Sequence, residues 1–369
     1  MDNAWRALVD ELGPAMIALL HDADAGLEAI VVVDNVAAGP AIGGVRMATD
    51  VSVQEVARLA RAMTLKNAAA GLPHGGGKAG IVADPLLDPA AKQRLLRAFA
   101  RAIRDLRDYT PGPDMGTDET CMAWVRDEIG RAVGLPEVLG GIPLDVVGAT
   151  GRGLAVCAEV VEEAGWLRLR GARVAVQGFG AVGRHTARFL AERGALLVGA
   201  SDSRGAVVNP DGLDVGALAE FAGGGRSVGE FPGGTPIPRD DLLVMPCDLL
   251  VPAARPDAIT ADNVEAVTAK VVLQGANLPV TLEAEQLLHK RGVLSVPDFI
   301  ANAGGVICAA VEYRGGTRSE AFARIDEKIR ANTAEMLALT RDRDVPPREA
   351  AEEMARVRLE EAGRYRRRP

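Results

Sequence analysis

Two of the few lysines in this chain lie close together in an apolar, glycine-rich stretch. Only six of the 42 basic residues are lysine, at positions 66, 78, 92, 270, 290 and 328. Arginine keeps its proton under working conditions, whereas a lysine that is desolvated or near another cation can lose it. Lys66 and Lys78 therefore suit two tasks: one ammonium binds a carboxylate while the other exchanges protons with reacting atoms. The alternative is that both side chains extend to solvent from a helix end and a loop.

A third candidate is Asp114, in the segment Thr110-Pro-Gly-Pro-Asp-Met-Gly-Thr117. Two prolines and two glycines around an acid predict a rigid loop that presents the carboxylate at a fixed place. The carboxylate is expected either to serve as the acid–base partner of the lysines or to cap a helix beginning near Asp118.

A glycine motif in the second half of the chain predicts a dinucleotide site. The pattern GxGxxG is weak evidence alone, but here it follows a strand predicted over 173–177 and opens a helix, as the motif requires. Glycines there allow a tight turn, close approach to a pyrophosphate and close packing of helix on strand. The candidate cofactor residues are Gly178, Phe179, Gly180, Ala181, Val182, Gly183, Asp202 and Ser203.

Asp202 bears on which dinucleotide is preferred. It lies about 20 residues beyond the motif, where a carboxylate accepts a hydrogen bond from a ribose 2′-hydroxyl, which favours NAD. Arg204, two residues later, would instead suit the 2′-phosphate of NADP, so NADP stays open.

The composition narrows the class of protein. Net charge is −8, which argues against a nucleic-acid or anionic-membrane surface, and no apolar run reaches the ~18 residues of a membrane span. The four cysteines are scattered, without pairs or Cys/His clusters at metal-ligand spacing, so no metal site is predicted. We expect a cytoplasmic protein that acts on small molecules.

The order of predicted elements indicates an α/β fold. Short apolar runs predict strands over 29–34, 173–177, 195–200, 249–251, 271–273 and 294–296, and helical spacing predicts helices over 53–63, 92–106 and 182–193. Residues 71–78 are predicted to form a glycine-rich loop and 209–239 a surface excursion, and the chain beyond 322 is predicted to be helical. Alternating strands and helices imply a doubly wound parallel sheet.

At 369 residues the chain is expected to form two domains around a cleft. Residues 1–145 plus 336–369 are predicted to be an α/β domain for substrate binding and oligomerisation. Residues 146–335 are predicted to be a Rossmann-type dinucleotide-binding domain.

These motifs together resemble the glutamate/leucine/phenylalanine/valine dehydrogenase family, from about residue 36 to about 316. The matching segments, in family order, are Gly39-Pro-Ala-Ile-Gly-Gly-Val-Arg46, Met63-Thr-Leu-Lys66, Leu72-Pro-His-Gly-Gly-Gly-Lys78, Pro113-Asp-Met-Gly-Thr117, Ala149-Thr-Gly151, Gly275-Ala-Asn277 and Pro297-Asp-Phe-Ile-Ala-Asn-Ala-Gly-Gly305. The resemblance implies an NAD(P)-dependent amino-acid dehydrogenase that works as a homo-oligomer.

The resemblance also implies roles for individual residues. Lys66 would bind the substrate α-carboxylate, Lys78 would be the catalytic lysine and Asp114 the catalytic acid–base residue. The remaining positions are assigned to the same substrate or to the cofactor. Substrate contacts are Gly43, Gly44, Pro113 and Asn277, the residues near the nicotinamide are Thr150 and Asn302, and Ala253 is a further cofactor-binding residue.

The implied reaction is oxidative deamination. The substrate α-carbon gives up a hydride, water activated by Lys78 adds to the resulting imine, and Asp114 moves protons as ammonia leaves. A catalytically silent nucleotide-binding relative is the alternative from another class, and the presence of Lys66, Lys78 and Asp114 argues against it.

Two positions favour an apolar substrate. Glutamate enzymes typically carry a lysine where this chain has Ile42 and a serine where it has Ala309, and a buried γ-carboxylate without a partner costs several kcal/mol. We therefore expect leucine, valine or phenylalanine as substrate. Glutamate is the alternative, because segments 114–119 and 149–153 resemble the glutamate branch.

Overall fold

The computed structural model describes residues 3–365 and divides into two compact units. One unit comprises the chain up to Leu144, Val306–Ala321 and the chain from Met354 onward. The other comprises Asp145–Gly305 and Phe322–Glu353. Among the described residues, no helix combines the length and the apolar character that crossing a bilayer requires.

Strands and helices alternate through most of the described chain. The strands are β1 (Met16–Asp22), β2 (Leu27–Asn35), β3 (Ala41–Ala48), β4 (Gly75–Val82), β5 (Tyr109–Pro113), β6 (Arg173–Gln177), β7 (Leu196–Ser201), β8 (Ala206–Val208), β9 (Thr235–Ile237), β10 (Leu249–Pro252), β11 (Val271–Leu273) and β12 (Leu294–Val296). The α-helices are α1 (Val53–Ala69), α2 (Pro89–Ala102), α3 (Glu119–Ile129), α4 (Leu144–Val147), α5 (Ala149–Glu163), α6 (Ala181–Ala191), α7 (Val215–Gly223), α8 (Leu282–Lys290), α9 (Asp298–Ala301), α10 (Gly304–Tyr313), α11 (Arg318–Arg343) and α12 (Pro347–Gly363).

The first unit is built on a mixed five-stranded sheet in the order β1-β2-β4-β3-β5. Strand β4 is antiparallel to β2 and parallel to β3, and β3 is parallel to β5. Because side chains alternate across a strand, β2 sends Val31 into the larger apolar core with α2 and α3 and Val32 into a smaller one with α1. Burial on both faces explains why β2 is a continuous apolar run.

Strand β4 corrects the expectation of a loop over 71–78, because Gly75 to Lys78 belong to the sheet. A Cβ on Gly76 would lie 2.1 Å from the backbone nitrogen of Thr64 in α1, and one on Gly77 would lie 2.9 Å from the Tyr109 ring. These glycines therefore let α1 approach one face of the strand and Tyr109 the other. The sequence pattern of a loop arises here from close packing.

The second unit contains a seven-stranded sheet in the order β12-β11-β10-β6-β7-β8-β9. Strands β12, β11, β10, β6 and β7 are parallel, whereas β8 and β9 form an antiparallel edge. The chain runs outward from β6 to β7 and later returns to place β10 on the other side of β6. Such a reversal is the topological switch point at which doubly wound sheets bind ligands. The expected α/β fold with a Rossmann-type sheet is confirmed.

Two expectations about organisation differ from the structure. Residues 209–239 contain helix α7 and strand β9, so they are structured rather than a plain excursion. The first unit begins as expected, but its later parts are 306–321 and the chain from 354, whereas 336–353 pack with the second unit. The sequence pattern did not show this division because α11 and α12 both mix charged residues with buried apolar ones, such as Ile329 and Met354. Residues 366–369 lie outside the described chain.

Candidate functional site

Lys78 and Asp114 form a buried ion pair in the first unit. The Nζ atom of Lys78, in β4, lies 2.9 Å from Oδ2 of Asp114, which directly follows β5. Lys78 is 6% exposed. Strand β3 separates β4 from β5 in the sheet, so the two charged groups meet across it.

Gly44 of β3 provides the space for this pair. A Cβ there would lie 2.7 Å from Cβ of Asp114, 2.9 Å from the carbonyl oxygen of Pro113 and 3.2 Å from Nζ of Lys78. The neighbouring Gly43 accepts a hydrogen bond through its carbonyl oxygen from the buried Tyr109 hydroxyl, at 2.9 Å. Gly44, which lies between Lys78 and Asp114, therefore cannot carry a side chain unless one of them moves.

Arg46 is a second cation on Asp114. Its Nε donates to Oδ2 of Asp114 at 3.0 Å, and its Nη1 donates to Oε1 of Glu55 at 2.5 Å. Arg46 lies two residues beyond Gly44 on β3, hence on the same face of the sheet. We assigned no role to Arg46 from the sequence, although this period-two spacing was a usable signal.

Burial and charge shift both proton affinities downward. Burial lowers the pKa of Lys78 below its ordinary 10.5; the Asp114 carboxylate opposes this and Arg46 adds to it. Burial would raise the pKa of Asp114, but the charges and hydrogen bonds of Lys78 and Arg46 outweigh it, so this pKa lies below its ordinary 3.8. The pair thus combines an ionised carboxylate with an amine that releases its proton more readily than a free lysine.

The turn that carries Asp114 is fastened to β3. The Thr117 hydroxyl donates to the carbonyl oxygen of Val45 at 2.8 Å, and Oγ1 of Thr117 accepts from the Asp114 N–H at 3.0 Å. The cap of α3 is Asp118, whose side chain accepts from the N–H of Cys121. Helix capping, the alternative for Asp114, is therefore performed by another residue.

Lys66 lies in the last turn of α1, the helix that covers β4. It is 8% exposed, and the adjacent Asn67 donates from Nδ2 to the carbonyl oxygen of Gly75 at 2.7 Å. Both lysines are therefore buried in the first unit, which contradicts the alternative that they extend to solvent.

Ile42 and Ala309, the two positions on which the substrate expectation depended, also lie in this unit. They are 5% and 8% exposed and form a small apolar cluster with Val133. Ala309 comes from α10, so a residue distant in sequence reaches the strand that carries Gly43 and Gly44.

The glycine motif of the second unit has the geometry that a pyrophosphate requires. Gly178 has φ of 90°, and a Cβ on it would lie 2.8 Å from Cα of Ala254. A Cβ on Gly183 would lie 1.9 Å from the Gly178 carbonyl oxygen, so this glycine lets α6 pack on the turn. Around Gly180 the described residues leave open space within 4 Å of that position, and no side chain caps α6 there. The N-terminus of α6 therefore fits a phosphate.

Asp202 is held by its own chain at the end of β7. Its Oδ1 accepts from the N–H groups of Arg204 and Gly205 and from the Ser227 hydroxyl, and its Oδ2 accepts from the Val228 N–H at 2.8 Å. Each oxygen of a carboxylate has about two acceptor positions, and Oδ2 accepts a single described hydrogen bond. Oδ2 therefore keeps one further position for a ribose hydroxyl, while Ser203 is exposed beside it.

The ends of β10, β11 and β12 complete the same edge of the sheet. The N–H of Ala253 donates to the carbonyl oxygen of Gln177 at 2.7 Å, which ties the end of β10 to the glycine turn. Asn302 donates from Nδ2 to the carbonyl oxygen of Ala276 at 3.0 Å and to Oδ1 of Asn277 at 3.2 Å. Its own Oδ1 is a buried acceptor with no donor in the described structure. An amide group of a ligand would satisfy it.

The start of α5 borders this region. A Cβ on Gly304 would lie 2.1 Å from the Ala149 carbonyl oxygen, and one on Gly305 would lie 3.1 Å from Oγ1 of Thr150. The double glycine therefore brings Thr150 close to the segment that follows Asn302. The residues of the second unit thus fit a dinucleotide with a carboxamide group.

Comparison with known sequences decides the family. A sequence model described as Glutamate/Leucine/Phenylalanine/Valine dehydrogenase matches residues 140–367, and one described as Glu/Leu/Phe/Val dehydrogenase, dimerisation domain, matches residues 16–131. The chain belongs to the glutamate/leucine/phenylalanine/valine dehydrogenase family. As a member of it, the protein is an oxidoreductase of the amino-acid dehydrogenase class with a nicotinamide cofactor.

Similar proteins within the family carry the name glutamate dehydrogenase. One from Aeropyrum pernix is 40% identical over 318 residues, covering 81% of this chain and 76% of its own, and one from Thermotoga maritima is 42% identical over 293 residues, covering 76% and 70%. The hetero-hexameric glutamate dehydrogenase of Thermus thermophilus, solved in a leucine-bound form, superimposes with a TM-score of 0.86 at 31% identity, covering 96% of this chain and 91% of its own.

These relatives overturn the expectation of an apolar substrate. Family members that are about 40% identical to this chain are named glutamate dehydrogenase, although this chain has Ile42 and Ala309 in place of the lysine and serine expected for a glutamate enzyme. The expectation was wrong because it inferred the substrate from the side chains at these two positions alone. A substrate carboxylate can also be satisfied by backbone N–H groups, by water or by a cation from another position.

Proposed function

We propose that this protein catalyses the reversible, NAD(P)-dependent oxidative deamination of L-glutamate to 2-oxoglutarate and ammonia. The observation that carries the proposal is the buried Lys78–Asp114 pair, 2.9 Å between Nζ and Oδ2, in a chain of this family. The names of the relatives at about 40% identity support glutamate as the substrate.

In this proposal, Lys66 binds the α-carboxylate and Lys78 acts on the neighbouring carbon. Hydride loss converts the substrate to an imine, and Lys78, whose pKa is lowered by burial, takes a proton from the water that attacks it. Asp114 carries protons to the nitrogen as ammonia leaves, and the Pro113 carbonyl oxygen accepts from the amino group. The backbone around Gly43 and Gly44 on β3 assists Lys66 in binding the carboxylate.

The cofactor, when bound, accepts the hydride at its nicotinamide ring. Its pyrophosphate would lie at the N-terminus of α6, with Gly178, Gly180 and Gly183 shaping the turn. Its carboxamide would satisfy the buried oxygen of Asn302. Asp202 favours NAD through the remaining position on Oδ2, whereas Arg204 would favour NADP.

A substrate panel tests the proposal. Purified protein is assayed with glutamate, leucine, valine and phenylalanine, each with NAD and with NADP, by the absorbance of the reduced nicotinamide. Glutamate is expected to give the highest kcat/KM, and 2-oxoglutarate with ammonia is expected to reoxidise the reduced cofactor. Failure to oxidise glutamate, or a higher kcat/KM with another amino acid of the panel, would refute it.

We also propose that the protein assembles with further copies of itself. The match of residues 16–131 to a dimerisation-domain model supports this, as does strand β1 at the edge of its sheet, where Leu19 is 72% exposed. Light scattering coupled to gel filtration tests it, and a mass equal to one chain across the concentration range would contradict it.

A further inference from the structure

A buried cluster of charged and polar side chains in the second unit takes no part in the proposed chemistry. It lies at the carboxyl ends of β11 and β12, where Gln274, Glu285 and Asp298 surround Arg348, all 7% exposed or less. Arg348 is the second residue of α12, which makes it the most distant member in sequence.

Arg348 uses both sides of its guanidinium inside this cluster. Its Nε donates to Oε2 of Glu285 at 2.6 Å, and its Nη2 donates to Oδ1 of Asp298 at 2.9 Å. Buried ion pairs carry a large desolvation cost, so they are weak evidence for stability alone. A planar, bidentate arrangement does fix the orientation of the groups that it contacts.

Asp298 connects this arrangement to the segment 275–278. Its second oxygen, Oδ2, accepts from the N–H of Leu278 at 3.1 Å. Leu278 has φ of 50°, a left-handed conformation that a leucine keeps only when its surroundings hold it there. The preceding residue is Asn277, whose Oδ1 accepts from Asn302.

Asp298 also acts on Asn302 through the backbone. It is the first residue of the short helix α9, and its carbonyl oxygen accepts from the Asn302 N–H at 2.8 Å. One aspartate therefore fixes both asparagines, one through its side chain and one through its main chain.

We propose that Arg348 and Asp298 are positioning residues for the reaction, holding Asn277 and Asn302 in the arrangement that receives the nicotinamide and the substrate. This inference rests on the proposed function. Arg348 itself touches neither ligand; it acts by fixing the Asp298 carboxylate, which in turn holds the strained backbone at Leu278.

The test compares Asp298→Asn and Arg348→Met with Glu285→Gln as a matched control. Glu285 is in the same cluster, is as buried and bonds the same arginine, but its side chain reaches Leu278 only through Arg348 and Asp298, whereas Asp298 bonds the Leu278 N–H directly. Each full-length variant is titrated with ADP-ribose and with NADH by calorimetry, and kcat and KM for glutamate are measured. ADP-ribose probes the glycine turn and Asp202 but lacks the nicotinamide.

We expect both positioning variants to bind ADP-ribose like the wild type, which also shows that they fold. The ratio of NADH affinity to ADP-ribose affinity should be lower in these variants than in the wild type. Their kcat/KM should fall by about 100-fold, the cost of misplacing a reacting group by ~1 Å. Glu285→Gln should retain both properties, and Arg348→Lys should recover part of the loss. If Arg348→Met does not fold, Asp298→Asn and Arg348→Lys carry the comparison.

Two results would overturn the inference. One is that Asp298→Asn keeps the wild-type ratio of NADH to ADP-ribose affinity and the wild-type kcat/KM. The other is that Glu285→Gln lowers this ratio and kcat/KM as much as Asp298→Asn does, which would indicate a general structural role of the cluster. A wild-type protein that does not oxidise glutamate would refute the proposed function instead, and the NADH-to-ADP-ribose ratio would still decide the positioning role.

Discussion

Gly44→Ala places one methyl group between the two groups proposed to do the chemistry. The added Cβ would lie 2.7 Å from Cβ of Asp114 and 3.2 Å from Nζ of Lys78. Ordinary contacts begin at 3.4 Å, so the Asp114 backbone must move by about 0.7 Å, since its Cβ cannot rotate away. A displacement near 1 Å in reacting groups costs about 100-fold in rate. We expect kcat/KM for glutamate to fall by roughly that factor.

The same substitution should cost about 1–3 kcal/mol of unfolding free energy, as overpacking does in well-packed interiors. Activity is measured with glutamate and saturating cofactor, and stability is measured by urea unfolding. Gly223→Ala is the matched control, because the same methyl group would there have no neighbour within 4 Å. NADH affinity should be unchanged in Gly44→Ala because Gly44 belongs to the first unit, and in Gly223→Ala because the added methyl group meets no neighbour.

A folded Gly44→Ala protein with wild-type kcat/KM would refute the reasoning. It would mean either that the Asp114 turn yields at no cost or that the Lys78–Asp114 geometry does not control the rate. A loss of NADH affinity as large as the loss of activity would also contradict it, since the damage would then extend beyond the ion pair.

Three further variants test other contacts of the structure. Lys78→Ala should lower kcat by about 10²- to 10⁴-fold, the contribution of a general acid–base group, while NADH binding measured by calorimetry stays nearly unchanged; an equal loss of both would contradict the assignment. Arg46 lowers the pKa of both Lys78 and Asp114, so Arg46→Met should move both limbs of the pH profile of kcat/KM to higher pH, and a shift to lower pH would refute the electrostatic account. Arg61→Met removes the cation 2.9 Å from Asp34, which is 1% exposed, and should cost about 3–5 kcal/mol in urea unfolding. Its control is Arg101→Met, which removes a half-exposed arginine 3.7 Å from Glu128 and should cost at most about 1 kcal/mol.

The second unit was largely predictable from the sequence, for a physical reason. The parallel strands of this unit are short apolar runs between helices, namely β6, β7, β10, β11 and β12. They are apolar because helices cover both faces of a parallel sheet, so neither face requires polar side chains. The glycine turn is equally local: a strand end, a tight turn and a helix start occupy consecutive residues. Local patterns therefore sufficed for the parallel strands and the glycine turn of this unit.

The first unit was less predictable because its strands β3, β4 and β5 are not marked by continuous apolar runs. Strand β3 contains two consecutive glycines, β5 has one glycine between two prolines, and β4 opens with three glycines. Their backbones approach other elements so closely that side chains are excluded, and composition then resembles a loop. Arg46 and Thr117 were missed for a related reason, since their importance lies in contacts with Asp114 and Val45 that only the sheet order creates.

The glycines of β3 and β4 explain how a flexible-looking segment can hold a rigid site. At each glycine the space of the missing side chain is filled by a different neighbour. This neighbour is the backbone of α1 at Gly76, the Tyr109 ring at Gly77 and the Lys78–Asp114 pair at Gly44. The conformational freedom that glycine brings is thereby removed by contacts on both faces of the sheet. An ammonium buried in this way must keep its carboxylate partner close, because neither water nor a moving backbone can compensate its charge. The same packing that hides Lys78 from solvent therefore lowers its pKa and fixes its position, which are the two properties that proton transfer to a neighbouring atom requires.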